Sequence, residues 1–216
     1  MIPAAQRTST VEHATVEIRR AILDGRMAPG TAASIAVLSE QLGMSAIPIR
    51  EALRALAAQG LIVLRPNRRA VVAPISLREL EDIFRARELY EVELAVLSAT
   101  RYSAETLRRL EDLADAVASE TVWDARVELH SEFHELLVTP AASDFDWRLL
   151  RIIWRASDRY TRFNLHSLLD LRAAHLPLLE AARAQNAVGM RKALKRHLDE
   201  GREVLGRALT EAAAGR

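Results

Sequence analysis

A chain of 216 residues and 24.1 kDa suffices for one large domain or two small ones. Half of its residues are hydrophobic, 27% are charged and only ten are aromatic, so it can bury a core and its composition favours helix over sheet. The absence of cysteine excludes disulfides, thiolate metal sites and a cysteine nucleophile. No apolar run approaches the roughly 18 residues of a membrane helix. The opening MIPAAQRTSTVEHAT also lacks the apolar stretch of a secretory signal. The expectation is a soluble, cytoplasmic protein with no membrane partner. The net charge of +1 conceals an asymmetry: through Ser76 there are nine basic and five acidic side chains, and beyond it 21 and 24. A basic first third on an acidic remainder suggests a polyanion partner for the first part.

Four of the seven prolines (Pro29, Pro48, Pro66 and Pro74) break the first third into short elements. Val11–Leu23 carries an apolar stripe at Val11, Ala14, Ile18, Ala21 and Ile22, a helix ended by Gly25. After the MAPG turn, Ile35–Leu42 predicts a short helix, Gly43 a tight turn, and Ala46–Gln59 a second helix stopped by Gly60. Leu61–Leu64 and Ala70–Ala73 are β-prone runs flanking Arg65-Pro66-Asn67-Arg68-Arg69, which predicts a hairpin with a basic tip.

Beyond Pro74 the pattern is helical. Ser76 with Glu79 forms a capping box opening a helix to about Thr100. Ser103 caps the next, to about Ala118, and Thr121 with Asp124 opens a third that stops at Pro140. Asp144 begins a fourth with a stripe at Leu149, Ile153, Ala156, Tyr160 and Phe163, leaving Arg155, Arg159 and Arg162 for the surface. A fifth covers roughly Ser167–Ala184 with a kink expected at Pro177, and Asn186 caps a sixth to about Thr210. The expected fold class is mostly α: a winged helix-turn-helix domain over 1–75, then an antiparallel helical bundle over 76–216.

Two short helices across a tight turn, followed by a hairpin, suit a DNA groove. The second helix would enter the major groove with Ser45, Arg50 and Arg54 towards the duplex, and Arg65, Arg68 and Arg69 of the wing would approach phosphates or the minor groove. An ordinary helical hairpin with surface arginines fits the same spacing.

In the bundle, HSEFH puts His130 and His134 four residues apart on the stripe of Trp123, Val127 and Leu137. His175 lies with Leu168, Leu171, Leu178 and Leu179, and His197 with Met190, Leu194, Gly201 and Leu205. A single histidine on such a face is usually a satisfied core residue. Four of them, if they converge, need partners for their buried nitrogens, and a divalent metal would satisfy them together. A metal-dependent hydrolase is disfavoured: Ser131, not Glu, follows the first histidine of the helix, and there is no phosphate loop or nucleophile elbow.

The stretch IRRAILDGRMAPGT…LSEQLGMSAIPIREALRALAAQGLIVLRPNRRAVVAPIS strongly resembles the DNA-binding domain of the GntR family of bacterial transcription regulators. The downstream helices resemble the ligand-sensing FCD domain of its FadR branch, and together the two resemblances span about residues 11–210. They imply a homodimeric regulator, a repressor in the usual case and not an enzyme, whose two recognition helices meet a palindromic double-stranded operator about 34 Å apart. The metal positions of the family fall on His134, His175 and His197, while His130 stands where Asp is usual. The implied cofactor is a divalent metal, zinc first, with Ni, Mn, Fe or Cu as alternatives. The implied effector is a small carboxylate, and Arg87, at a characteristic arginine position of the family, would assist in binding it. Pairing of Arg87 with Glu91 one turn later is the competing reading. A metal-free regulator of the same fold is the alternative for the whole domain.

Two departures bear on DNA recognition. Ala46 and Ile47 stand where the family usually has Arg and a small polar residue, and Arg69 where the wing commonly has Gly. Loss of a bidentate guanine contact removes about 1–3 kcal/mol of discrimination, shifting weight towards phosphate contacts by Arg68 and Arg69. Arg69→Ala should therefore reduce the slope of log affinity against log salt by about 0.9. An unchanged slope in a salt titration would remove the wing from the interface.

Overall fold

The computed structural model describes residues 10–64, 70–164 and 171–214. The chain separates into two compact units, Met1–Ile75 and Ser76–Arg216. In the first, α1 (Thr10–Leu23), β1 (Ala32–Ala33), α2 (Ile35–Leu42), α3 (Ala46–Ala58), β2 (Ile62–Val63) and β3 (Ala70–Val72) follow in order. Ile49, Ala52, Leu53 and Leu56 of α3 are buried together with Ala14, Ile18 and Ile22 of α1. Between α2 and α3 the backbone reverses at Gly43, whose φ of 63° lies in the left-handed region that glycine enters without steric cost. The three-stranded antiparallel sheet has the order β1-β3-β2, with Val71 opposite Ala32 on one side and Val63 on the other. Strand β1 is absent from the sequence reading, because a two-residue strand carries no periodicity of its own and exists only through pairing with β3.

The second unit contains, among the described residues, α4 (Leu77–Ser98), α5 (Ala104–Ser119), α6 (Trp123–Val138), α7 (Asp144–Asn164), α8 (Leu171–Arg183) and α9 (Ala187–Ala214). Helix α4 packs on α9, α7 and α6; α5 packs on α6 and α8, and α8 on α9. Leu80, Leu110, Phe133, Leu137, Leu150, Tyr160 and Leu178 are fully buried between them. Helix α8 continues through Pro177. Asn186 Oδ1 accepts from the Gly189 amide at 2.9 Å, and Ser103 Oγ accepts from Thr106 at 3.0 Å, as local capping chemistry predicts.

Three local expectations are corrected. Helix α6 starts after Val122, which makes no side-chain cap; Glu120 Oε1 accepts the Val122 amide instead at 2.7 Å. Helix α7 begins at Asp144 as expected, behind a reciprocal pair of Ser143 and Asp146, but its buried face runs through Leu150, Trp154, Ser157 and Tyr160, about one position round from the expected stripe. That rotation buries Arg159 beside Glu79 (2.5 Å) and over the Tyr160 ring, whereas Arg155 is exposed; the Arg162 side chain lies outside the described residues.

At the head of α4, Ser76 Oγ accepts the Glu79 amide at 3.2 Å, the forward half of a capping box. The return half differs. The Tyr160 hydroxyl accepts the Ser76 amide at 3.2 Å and donates to Glu79 Oε2 at 2.5 Å. Tyr160→Phe leaves the Ser76 amide without this partner and should destabilise the helical unit by about 1–3 kcal/mol, read as a lowered urea midpoint.

Candidate functional site

Helical spacing places His130 and His134 on one face of α6, and the packing of α8 and α9 brings His175 and His197 to the same point. One nitrogen from each of the four rings lies within 4.8 Å of every other. The His134 and His197 Nε2 atoms are 3.1 Å apart. Imidazole–metal bonds of about 2.0–2.1 Å put neighbouring ligand nitrogens about 2.9–3.4 Å apart, so this pair already stands at a chelating separation. His134 and His175 are buried, His197 nearly so, and His130 retains partial exposure. His175 is stacked on Phe133, with ring centroids 4.3 Å apart.

Three nitrogens of the cluster lack partners. Both nitrogens of His175 and Nδ1 of His197 are buried without a hydrogen bond among the described residues. Burial, followed by the nearby His134, pushes the His175 imidazole down to about 3. Burial also holds His130 and His197 well below the usual histidine range, with neighbouring His134, His175 and Arg87 acting in the same direction. Neutral imidazoles with unoccupied lone pairs are what a metal needs, and an all-nitrogen set suits Zn, Ni, Cu or Fe. Ionised partners are not required here.

A charged cluster lies behind His134. Glu91 of α4 is completely buried, yet it accepts from Arg87 Nε (2.8 Å), Arg87 Nη2 (3.2 Å) and Trp154 Nε1 (2.8 Å), and lies 2.6 Å from His134 Nδ1. Burial alone would push this carboxyl up, but Arg87 and His134 hold it well below the usual carboxylate range. Arg87 also donates to Ser157 Oγ at 3.2 Å. The sequence reading that paired Arg87 with Glu91 therefore describes the structure, and Arg87 reaches the histidines through that pair. Trp154 and Ser157 had no signal in the sequence, since both act across α7 on a face displaced from the apolar stripe.

In the first unit, Ser45 occupies the N-cap position of α3 without a side-chain cap bond, and Ser45, Arg50 and Arg54 are all exposed. Arg54 pairs with Glu51 at 2.8 Å, and Ile47 is 70% exposed on the same helix. Arg65, Arg68 and Arg69 lie outside the described residues.

Residues 82–200 match the FCD domain, and residues 10–72 match the bacterial regulatory proteins of the gntR family. The chain belongs to the GntR family. It is a DNA-binding transcription regulator with an N-terminal helix-turn-helix domain and a helical FCD domain, and its relatives are regulators, not enzymes. The repressor RspR of Escherichia coli is 29% identical over 85% of this chain and 83% of its own length. The regulator BphR of Paraburkholderia xenovorans is 27% identical over 92% and 86%. A GntR-family regulator from Pseudomonas syringae, known by its crystal structure, is 29% identical with a TM-score of 0.61, covering 95% of this chain and 88% of that one. Among the described residues, no helix is long and apolar enough to cross a membrane.

The buried pair of Arg87 and Glu91 gives a stability prediction for this GntR regulator. Arg87→Met leaves Glu91 buried without its guanidinium and should cost about 3–5 kcal/mol in urea unfolding of the helical unit. Combining it with Glu91→Gln should cost less than the two single losses added, because the second change removes the stranded charge.

Proposed function

We propose that this GntR regulator is a cytoplasmic, ligand-responsive repressor whose FCD domain binds one divalent metal through His130, His134, His175 and His197 and a small carboxylate beside it. The observation that carries the reading is the convergence of four imidazoles within 4.8 Å, three of whose buried nitrogens have no hydrogen-bond partner among the described residues. The donor set favours zinc, with Ni, Cu, Fe or Mn as alternatives. When bound, the divalent ion supplies concentrated positive charge and open coordination positions.

Charge supports the carboxylate. Four neutral imidazoles leave the ion's +2 uncompensated, and Arg87 with Glu91 is a neutral pair, so the site as a whole attracts an anion in a low-dielectric setting. Arg87 contributes to effector binding in this reading as a guanidinium 3.3 Å from His134. On the DNA side, two copies of the chain form a homodimer, with the domain over 1–75 reading half-sites of a palindrome and the domain over 76–216 sensing and dimerising. Ser45, Arg50 and Arg54 of α3 face the major groove, and Arg65, Arg68 and Arg69 meet the backbone. The effector acts by favouring one arrangement of the dimer over another.

Purified protein should contain about one metal ion per chain by elemental analysis. Zinc at one hundred times its dissociation constant should raise the melting temperature by roughly 5–11 °C over the chelated form. Replacing both His134 and His197 by Ala should abolish that rise. A chelated protein with unchanged melting temperature and no stoichiometric metal would leave a metal-free regulator of the same fold.

A further inference from the structure

We infer that Glu91 is a positioning residue of the histidine centre: it accepts a hydrogen bond from Nδ1–H of His134, holding the proton on that nitrogen, and so leaves the ring's Nε2 as the nitrogen offered to a cation. The inference rests on the metal reading above and deepens it. It identifies which nitrogen of His134 serves as ligand, and which side chain outside the four histidines decides that choice.

The donor inventory around Glu91 carries the argument. Arg87 Nε and Trp154 Nε1 both meet Oε2 at 2.8 Å, and Arg87 Nη2 meets Oε1 at 3.2 Å. Guanidinium and indole nitrogens can only donate, so both carboxylate oxygens are accepting. His134 Nδ1 lies 2.6 Å from Oε1 and must bring a hydrogen to an oxygen used this way. The 3.3 Å approach of Arg87 Nη2 to His134 Nδ1 is then two donors sharing one acceptor, with no bond between them.

A neutral imidazole with its proton on Nδ1 has its lone pair at Nε2. That atom is the one 3.1 Å from His197 Nε2, inside the four-ring cluster. Without Glu91, the His134 ring is free to carry its proton on Nε2, where it would block the cluster. The carboxylate also offsets Arg87, whose charge would otherwise oppose a cation nearby. Hydrogen-bonded carboxylates behind metal-ligating histidines orient the ring and raise its basicity, and their loss weakens metal binding by about 10–100-fold. A carboxylate that acted only by offsetting Arg87 would also weaken the metal on removal, but it would leave open which nitrogen of His134 carries the proton, so the state of that ring is the readout that separates the two roles.

The experiment uses the full chain. Zinc affinity is measured by competition with a chromogenic chelator for the wild type and Glu91→Gln, with circular dichroism confirming equal helicity. In parallel, nitrogen-15 spectra of the zinc-loaded wild type report the state of each His134 nitrogen. The expected results are about 10–100-fold weaker zinc binding by Glu91→Gln, and in the wild type a protonated Nδ1 with zinc at Nε2 of His134. Equal zinc affinity in the two proteins, or zinc at Nδ1 of His134, overturns the inference while leaving the metal centre standing. A wild type that takes up no zinc overturns both. Should Glu91→Gln fail to fold, the wild-type spectrum decides alone.

Discussion

A carboxylate sealed inside a helical bundle is tolerated only where its lone pairs are met by donors and its charge by a cation. At Glu91 the donors come from three helices: Arg87 from its own α4, His134 from α6 and Trp154 from α7. The carboxylate therefore fixes how those helices sit against one another, because moving any one of them strands a buried charge. Apolar contacts could hold the same helices together, but they would accept small sliding movements that a 2.8 Å hydrogen bond does not.

The histidine cluster is built on that frame. Helices α6, α8 and α9 deliver the four rings, while α4 and α7 supply the layer behind them. The division is chemically sensible. Burial keeps the rings of His130, His175 and His197 neutral, with a lone pair on each. Among the described residues, His134 is the ring of the four that meets a carboxylate, and there the proton is drawn to the side away from its neighbours. A compact group of buried imidazoles and a fully paired ion pair thus coexist within a few ångströms without competing for the same atoms.

How much of this was legible in the sequence follows from how local each cause is. Ser103 and Asn186 cap their helices as read, because a cap needs only the next three amides. The histidines were legible because helical spacing assigns each to an apolar stripe, although their meeting point depends on how separate helices pack. Arg87 and Glu91 were legible as an i, i+4 pair; the role of Glu91 behind His134 was not, since it spans 43 residues of chain. The rotation of α7 misled the reading of Arg159. The apolar pattern of the helix runs through Leu149 and Ile153, while the bundle buries Leu150, Trp154 and Ser157, a shift that only the neighbours of the helix can specify. Strand β1 is the same lesson in the sheet, where two alanines acquire a conformation from Val71 and Ala70 across from them.

That rotated face of α7 has a further consequence. Trp154 holds Glu91, Ser157 holds Arg87, and Tyr160 holds the backbone of Ser76 at the first turn of α4. These residues sit three apart, so one helix face touches both the layer behind the histidines and the residue at which the helical unit begins. A ligand can bias DNA binding only by contacting an element that has different preferred positions with and without it. A shift of helix α7 along its axis would disturb the hydrogen bonds of Trp154, Ser157 and Tyr160 together. Close packing makes such a shift a step between discrete arrangements.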